Sequence, residues 1–319
     1  MEKHLARFRR ILDEKNSFLL ICHESPDGDG IGALLALGEL LRNRGKKVVL
    51  ICRDCVPRVF AFLAGSVGIQ NDFLLADHDA IILLDNGDLH RTGFADRISV
   101  SRHRIPIVNI DHHPKNDIWK MASANIADKA ASSACELVYN LAMRLDWPIT
   151  PTVATALLTG IYTDTGGFQH DNTSGRVLEI ASDLLRRGAK LKLISANISN
   201  SHSVAMLKLW GIALNRLQIV PELGLVFSLI TRQDIERAGA EDYEVSGLVN
   251  LINTIPNSKV ALLLYETADG KIRGSLRTES EQVDLARLAE FLGGGGHRRA
   301  SGFSLWGKLA ESNGNWQIV

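Results

Sequence analysis

Residues 18–32 read Phe18-Leu-Leu-Ile-Cys-His23-Glu-Ser-Pro-Asp27-Gly-Asp29-Gly-Ile-Gly32. A short apolar run gives way to a turn of proline, glycine and aspartate. The turn opens onto a helical pattern in which Ile31, Leu34, Leu35, Gly38 and Leu41 share one face and Gly45 supplies the stop. Strand, acidic turn, helix is the unit from which open parallel sheets are wound. The same kind of run recurs at Lys47–Cys52, Ala80–Asp85 and Ile105–Asp111. Continuous apolar runs of this length suit strands buried on both faces.

Between and after the runs lie further helical patterns. Ala134, Leu137, Val138, Leu141 and Leu145 form one face, and Val177, Ile180, Ala181, Leu184 and Leu185 form another, closed by Gly188. Thr150-Pro151 reads as an N-cap and a first-turn proline for a helix running to Asp164. The alternation predicts an α/β fold, a doubly wound parallel sheet over residues 1–190. The polar stretch 191–203 reads as a linker. Residues 204–319 change character: Asp269-Gly270 is a hairpin turn between Val260–Tyr265 and Ile272–Leu276, and Asp284–Leu292 is a helix running into the Gly293–Gly296 cluster. A smaller α+β domain is expected there.

Composition narrows the function. At 319 residues the chain suits two domains, and 45% hydrophobic with 23% charged content is that of a globular protein. No stretch reaches the ~20 apolar residues that cross a bilayer, and no apolar signal core follows the charged start, so no membrane role and a cytoplasmic address are expected. Formal net charge is zero, which disfavours long duplex nucleic acid and favours small anions handled locally. The four cysteines are too scattered for a disulfide framework; Cys52 and Cys55 have redox spacing but read as ordinary thiols beside a strand end.

The ionisable residues of the first domain collect at strand ends. His23, Asp27 and Asp29 follow the first run, Asp85 ends the third, and Asp111, His112 and His113 end the fourth, with Asp164 at a helix end. Ligands of open parallel sheets bind outside these C-terminal ends. So many carboxylates in one crevice need a counter-charge, which divalent metals supply. Mixed imidazole and carboxylate donors suit manganese, iron, cobalt or zinc better than calcium, and two ions about 4 Å apart would clamp a phosphoryl group. Gly28, Gly30 and Gly32 miss the dinucleotide-binding spacing by one residue, and the neighbouring aspartates would repel a pyrophosphate. In the second domain Gly293–Gly296 with His297, Arg298 and Arg299, and separately Arg277, present backbone amides and guanidinium groups to a phosphate.

Together these motifs resemble the DHH phosphoesterase superfamily, in the branch with a C-terminal DHH-associated domain. Asp111-His112-His113 matches the naming signature. His23–Asp29, Leu84-Asp85 and Gly160–Thr165 resemble further motifs, and Gly294-Gly-Gly-His297-x-x-Ala300-Ser-Gly302 resembles the substrate-binding motif, with Ser301 where alanine is usual. The compact layout is similar to the nanoRNase and pAp-phosphatase (bifunctional oligoribonuclease) group.

The resemblance implies hydrolysis of short single-stranded oligonucleotides to mononucleotides and of adenosine 3′,5′-bisphosphate to AMP. It implies two manganese ions, one held by His23, Asp27 and Asp85, the other by Asp29, Asp85, His112 and Asp164. Asp85 would serve both ions, Asp111 would orient an imidazole, and His113 would face the scissile phosphate. Arg277, Gly294, Gly295, Gly296, His297 and Arg298 would hold the nucleotide in a cleft between the domains. Cleavage of linear or cyclic dinucleotides, and nucleotide sensing without turnover, are the alternatives, and a homodimer is left open.

Overall fold

The apolar runs of the first domain become β1 (Ser17–Ile21), β2 (Lys47–Ile51), β3 (Ala80–Leu84) and β4 (Ile107–Asp111) of one parallel sheet. A fifth strand, β5 (Ala124–Ala127), completes it in the order β2-β1-β3-β4-β5. The computed structural model describes residues 2–198, 203–245, 247–312 and 315–319. The described chain falls into two compact units, Met1–Ser201 and His202–Val319.

In unit 1 the helices are α1 (Glu2–Glu14), α2 (Gly28–Arg42), α3 (Ala95–Ser101), α4 (Asp117–Met121), α5 (Ala134–Arg144), α6 (Pro151–Asp164), α7 (Gly175–Arg186) and α8 (Leu191–Ile198). Alternate strand residues feed two separate cores. Phe18, Leu20, Ile82 and Val108 pack with Leu34, Leu37, Val138, Leu157 and Ile180, while Leu19, Ile21, Ile81 and Leu83 pack with Phe94, Ile98 and Ile118. Both faces of the sheet are therefore covered, which is why its strands carry no polar alternation. The fold is the doubly wound α/β arrangement.

Local chemistry sets the helix ends that matter for the site. Asp27 caps α2, its Oδ1 accepting from the N–H groups of Asp29 and Gly30 at 3.0 Å each. Ser133 caps α5 and Thr150 caps α6, with Pro151 in the first turn. Helices α2 and α6 approach closely because glycines face each other. A Cβ on Gly32 would lie 2.5 Å from Ala156 O, and one on Gly160 would lie 2.3 Å from Cys135 Sγ and 2.5 Å from Asp29 Oδ1. That contact brings the C-terminal end of α6, with Asp164, beside the first turn of α2, with Asp29.

Three features differ from the sequence reading. Helix α1 is built on Leu5, Phe8, Ile11 and Leu12, which are buried, although the segment looks merely charged. Strand β5, Ala-Asn-Ile-Ala, is too short and polar to stand out. The predicted linker 191–203 is a helix over much of its length: Ile194 of α8 is fully buried, with Leu191 and Ile198 packed on the same core. The helical spacing of these three apolar residues outweighs the polar ones between them. Residues 199–202 of that segment lie outside the described residues.

Unit 2 holds a mixed sheet of β6 (Gln218–Val220), β7 (Leu225–Ile230), β8 (Val260–Glu266), β9 (Lys271–Arg277), β10 (Gly295–His297) and β11 (Ala300–Trp306), in the order β10-β11-β9-β8-β7-β6. Its pairs are antiparallel except β7 with β8. Strands β8 and β9 form the expected hairpin, with Gly270 at φ 78° in the turn. Helices α9 (Val204–Asn215), α10 (Arg232–Ala238), α11 (Leu248–Asn253) and α12 (Leu285–Phe291) accompany the sheet. No helix among the described residues is long and apolar enough to cross a membrane.

The glycine contact yields a stability prediction. Gly160→Ala is expected to cost about 1–3 kcal/mol, the range for overpacking a filled interior. Gly175→Ala, at the exposed start of α7 where a Cβ meets nothing within 4 Å, should be neutral. Thermal denaturation of the two variants checks this; equal melting temperatures would show that α2 and α6 have room to move apart.

Candidate metal centre

In the order β2-β1-β3-β4-β5 the chain leaves β1 in one direction for β2 and resumes on its other side at β3. The gap outside the ends of β1 and β3 is the topological switch point, where doubly wound sheets bind ligands. His23 stands there after β1, Asp85 after β3, and Asp111 and His112 at the end of β4. Asp27 and Asp29 enter from α2, and Asp164 from the end of α6.

The side chains converge. His23 Nε2 lies 3.6 Å from both Asp27 Oδ1 and Asp85 Oδ2. His112 Nε2 lies 3.3 Å from Asp85 Oδ1 and 3.4 Å from Asp164 Oδ2. One ligand atom each from His23, Asp27 and Asp85, and likewise from Asp29, His112 and Asp164, fall within 4.8 Å of one another; so do Asp85, His112 and His113. Of the six residues predicted as metal ligands, all lie in these groups.

The backbone prepares the groups for cations. Asp85 Oδ1 is buried and has no hydrogen-bond partner, a costly state that a cation relieves. Asp85 itself is held at φ 57°, a strained conformation for a side-chain-bearing residue. His23 Nδ1 lies 2.7 Å from Glu24 O, which can only accept, so Nδ1 carries the proton and Nε2 keeps its lone pair for a metal. Asp29 receives the backbone N–H of Ala134 at 2.5 Å and of Cys135 at 2.9 Å, which fixes its carboxylate at the start of α5.

Asp111 has a different position. Its Oδ2 accepts from Gly87 N at 3.1 Å, while Oδ1 accepts from His113 N at 3.1 Å and from His113 Nδ1–H at 2.7 Å. It therefore aims His113, leaving Nε2 of that ring outward. Sequence reasoning misses Asn86, yet it is fully buried and its Nδ2 donates to Ile21 O at 3.1 Å and Leu84 O at 3.0 Å. It ties the ends of β1 and β3 together directly beneath Asp85. The trace in the sequence is an amide directly after the aspartate that ends an apolar run.

The crowding shows in the ionisation. Burial disfavours charge on His23, but Asp27 and Asp85 outweigh it and push its pKa up to about 10. Burial acts likewise on His112, and Asp85, Asp29 and Asp164 push it up to about 10. Burial would raise Asp85, but His112 and His23 hold it well below the ordinary carboxylate range. Burial, then repulsion from Asp85, lifts Asp29 to about 7, and burial with Asp29 and Asp85 lifts Asp164 well above its ordinary value. Without cations the cluster gathers protons in their place.

Unit 2 carries the predicted nucleotide-binding residues. Arg277 closes β9, its Nε donating to Asn250 Oδ1 at 2.9 Å and one Nη to Leu276 O at 2.8 Å. It lines a pocket of about 660 Å³ together with Tyr265, Arg273 and Ser275. Gly294, Gly295 and Gly296 lead into and form β10, which pairs with β11 so tightly that a Cβ on Gly294 would lie 2.1 Å from Gly302 O. His297 is exposed and its carbonyl accepts from Ser301 Oγ at 2.6 Å. Arg298 is exposed, and part of its guanidinium donates to the carbonyls of Glu281 and Val283 within unit 2.

Comparison with known proteins agrees with this geometry. The DHH family N-terminal domain model matches residues 17–161 and the DHHA1 domain model matches 224–312. The chain is 28% identical to the bifunctional oligoribonuclease and PAP phosphatase NrnA of Mycoplasma genitalium, over 93% of this chain and 91% of that one. It is 30% identical to the protein of the same name from Thermus thermophilus, over 89% and 83%. A crystal structure of an exopolyphosphatase-related protein from Bacteroides fragilis superposes with a TM-score of 0.89 at 27% identity, covering 97% of this chain and 92% of that one. With metal-competent groups at the strand ends and both family domains in order, this chain belongs to the metal-dependent DHH phosphoesterase family, in the branch that carries a DHHA1 domain.

Proposed function

We propose that the chain is a cytoplasmic hydrolase that cleaves short single-stranded oligonucleotides to mononucleotides and removes the 3′-phosphate of adenosine 3′,5′-bisphosphate. Two relatives aligned over most of their length bear the name of oligoribonuclease and PAP phosphatase, which supports the substrate class. The observation that carries the reading is Asp85: its buried Oδ1 has no hydrogen-bond partner, and its two oxygens face imidazoles from two different strand ends, His112 Nε2 at 3.3 Å from Oδ1 and His23 Nε2 at 3.6 Å from Oδ2.

In this proposal His23, Asp27 and Asp85 hold one divalent cation, and Asp29, Asp85, His112 and Asp164 hold a second. Manganese fits the mixture of imidazole and carboxylate donors. Bound there, a pair of cations would supply Lewis acidity toward water and a phosphoryl group. Asp111 holds His113 with its outward nitrogen toward the leaving oxygen. In unit 2, Arg277, His297 and the amides of Gly294–Gly296 bind the nucleotide, Arg277 through the guanidinium edge that its two internal bonds leave free.

Three measurements test this. A panel in manganese should show fast release of mononucleotides from two- to five-residue oligonucleotides and of phosphate from adenosine 3′,5′-bisphosphate. Pyrophosphate, cyclic dinucleotides and 24-residue strands should be poor substrates; a preference for any of these would replace the assignment. Asp85→Ala should lower kcat by more than about 100-fold, the upper range for residues that only support ligands, and should weaken manganese binding in calorimetry. Near-normal turnover of that variant in metal-scrubbed buffer would rule out a shared metal ligand.

The third concerns pH. The metal-free fold retains protons on His23 and His112 up to about 10, against an ordinary 6.5, and on Asp29 up to about 7, against 3.8. Folded pKa values above the unfolded ones mean stability that is lost as pH rises, from about 4 to 7 for Asp29 and from 6.5 to 10 for the histidines. The melting temperature of the metal-free protein should therefore fall between pH 6 and 9. The increment from added manganese should grow over the same interval, since protons and metal compete. An increment independent of pH would show that the ion binds elsewhere.

A further inference from the structure

Arg91 lies in a short 3-10 turn, His90–Thr92, just after the Asp85 loop. Its main chain is anchored, with Arg91 O accepting from Glu24 N at 2.6 Å and Arg91 N donating to Asp88 Oδ1 at 3.0 Å. Its side chain is half-buried and has no such anchor. One Nη lies 3.2 Å from His23 Nδ1. That nitrogen already donates to Glu24 O, so the guanidinium, a donor only, finds no acceptor there.

The other Nη points along Gly87. A Cβ on Gly87 would stand 3.1 Å from Arg91 Nη1 and 3.6 Å from the His113 ring, so the two groups border the same space beside the bare glycine. Among the described residues no carboxylate pairs with Arg91, one Nη of which lies beside the His23 ring. A half-buried guanidinium with an unfilled fork, beside an imidazole whose free nitrogen points outward, matches the planar spread of phosphoryl oxygens.

We propose that Arg91 binds the non-bridging oxygens of the phosphoryl group under attack, alongside His113. The inference rests on the phosphoesterase reading above and adds a substrate-binding residue from the metal-bearing unit. Its anchored main chain means that the side chain can be replaced without releasing the loop.

The test uses manganese-loaded protein with Arg91→Ala and Arg91→Lys. Inhibition by inorganic phosphate and the KM for adenosine 3′,5′-bisphosphate are measured, with manganese affinity by calorimetry. Arg91→Ala is expected to raise both the phosphate inhibition constant and KM on the order of tenfold, with Arg91→Lys intermediate because it keeps charge but not the fork. Manganese affinity should stay within about twofold, since a phosphate ligand contributes nothing to holding the ion. An unchanged phosphate constant overturns the proposal. So does a parallel loss of manganese affinity, which would mean that Arg91 acts through His23. If wild type fails to hydrolyse the bisphosphate, the phosphoesterase reading fails on its own; direct calorimetric binding of phosphate to the loaded protein still decides the role of Arg91.

Discussion

Mutual repulsion among buried carboxylates is the constraint around which unit 1 is organised. Asp29, Asp85 and Asp164 sit close together in a medium that screens poorly, and each raises the cost of charging its neighbours. Left alone, such a group would take up protons or spread apart. Two imidazoles, a helix start and the closed ends of three strands keep it together. Positive charge within the cluster, from protonated imidazoles or from cations, offsets that repulsion.

Placement of the carboxylates depends on two pieces of packing remote from the chemistry. Glycines at the crossing of α2 and α6 allow a separation that no alanine would permit, and so set the distance between Asp29 and Asp164. Asn86 joins the ends of β1 and β3, and so sets the distance between His23 and Asp85. Neither residue type is chemically active. Both determine whether the active groups meet.

Much of this is legible in the chain of residues alone. The strands of unit 1 announce themselves because burial on both faces leaves unbroken apolar runs, and His23, Asp85 and Asp111 are visible because charge at the end of such a run is unusual. The elements that such reasoning misses have weak local signals. Helix α8 is hidden because its docking residues, Leu191, Ile194 and Ile198, are separated by polar ones. Strand β5 is four residues long and interrupted by Asn125. The bonds from Arg298 to the carbonyls of Glu281 and Val283 are likewise hidden, because they depend on the path of residues 281–283. Arg91 and Asn86 matter through where their neighbours are, information that spacing along the chain does not carry.

The seat of Asp29 at the start of α5 has a wider meaning. A side chain that accepts from the N–H groups of Ala134 and Cys135 is rigid before any ion arrives, so little conformational freedom remains to be lost upon coordination. Asp27 is held likewise, its Oδ1 accepting from the N–H groups of Asp29 and Gly30, although its carboxylate is half exposed. Both carboxylates are thus held by backbone amides at the N-terminal end of α2. Carboxylates anchored in this way before an ion arrives keep the same spacing from one turnover to the next.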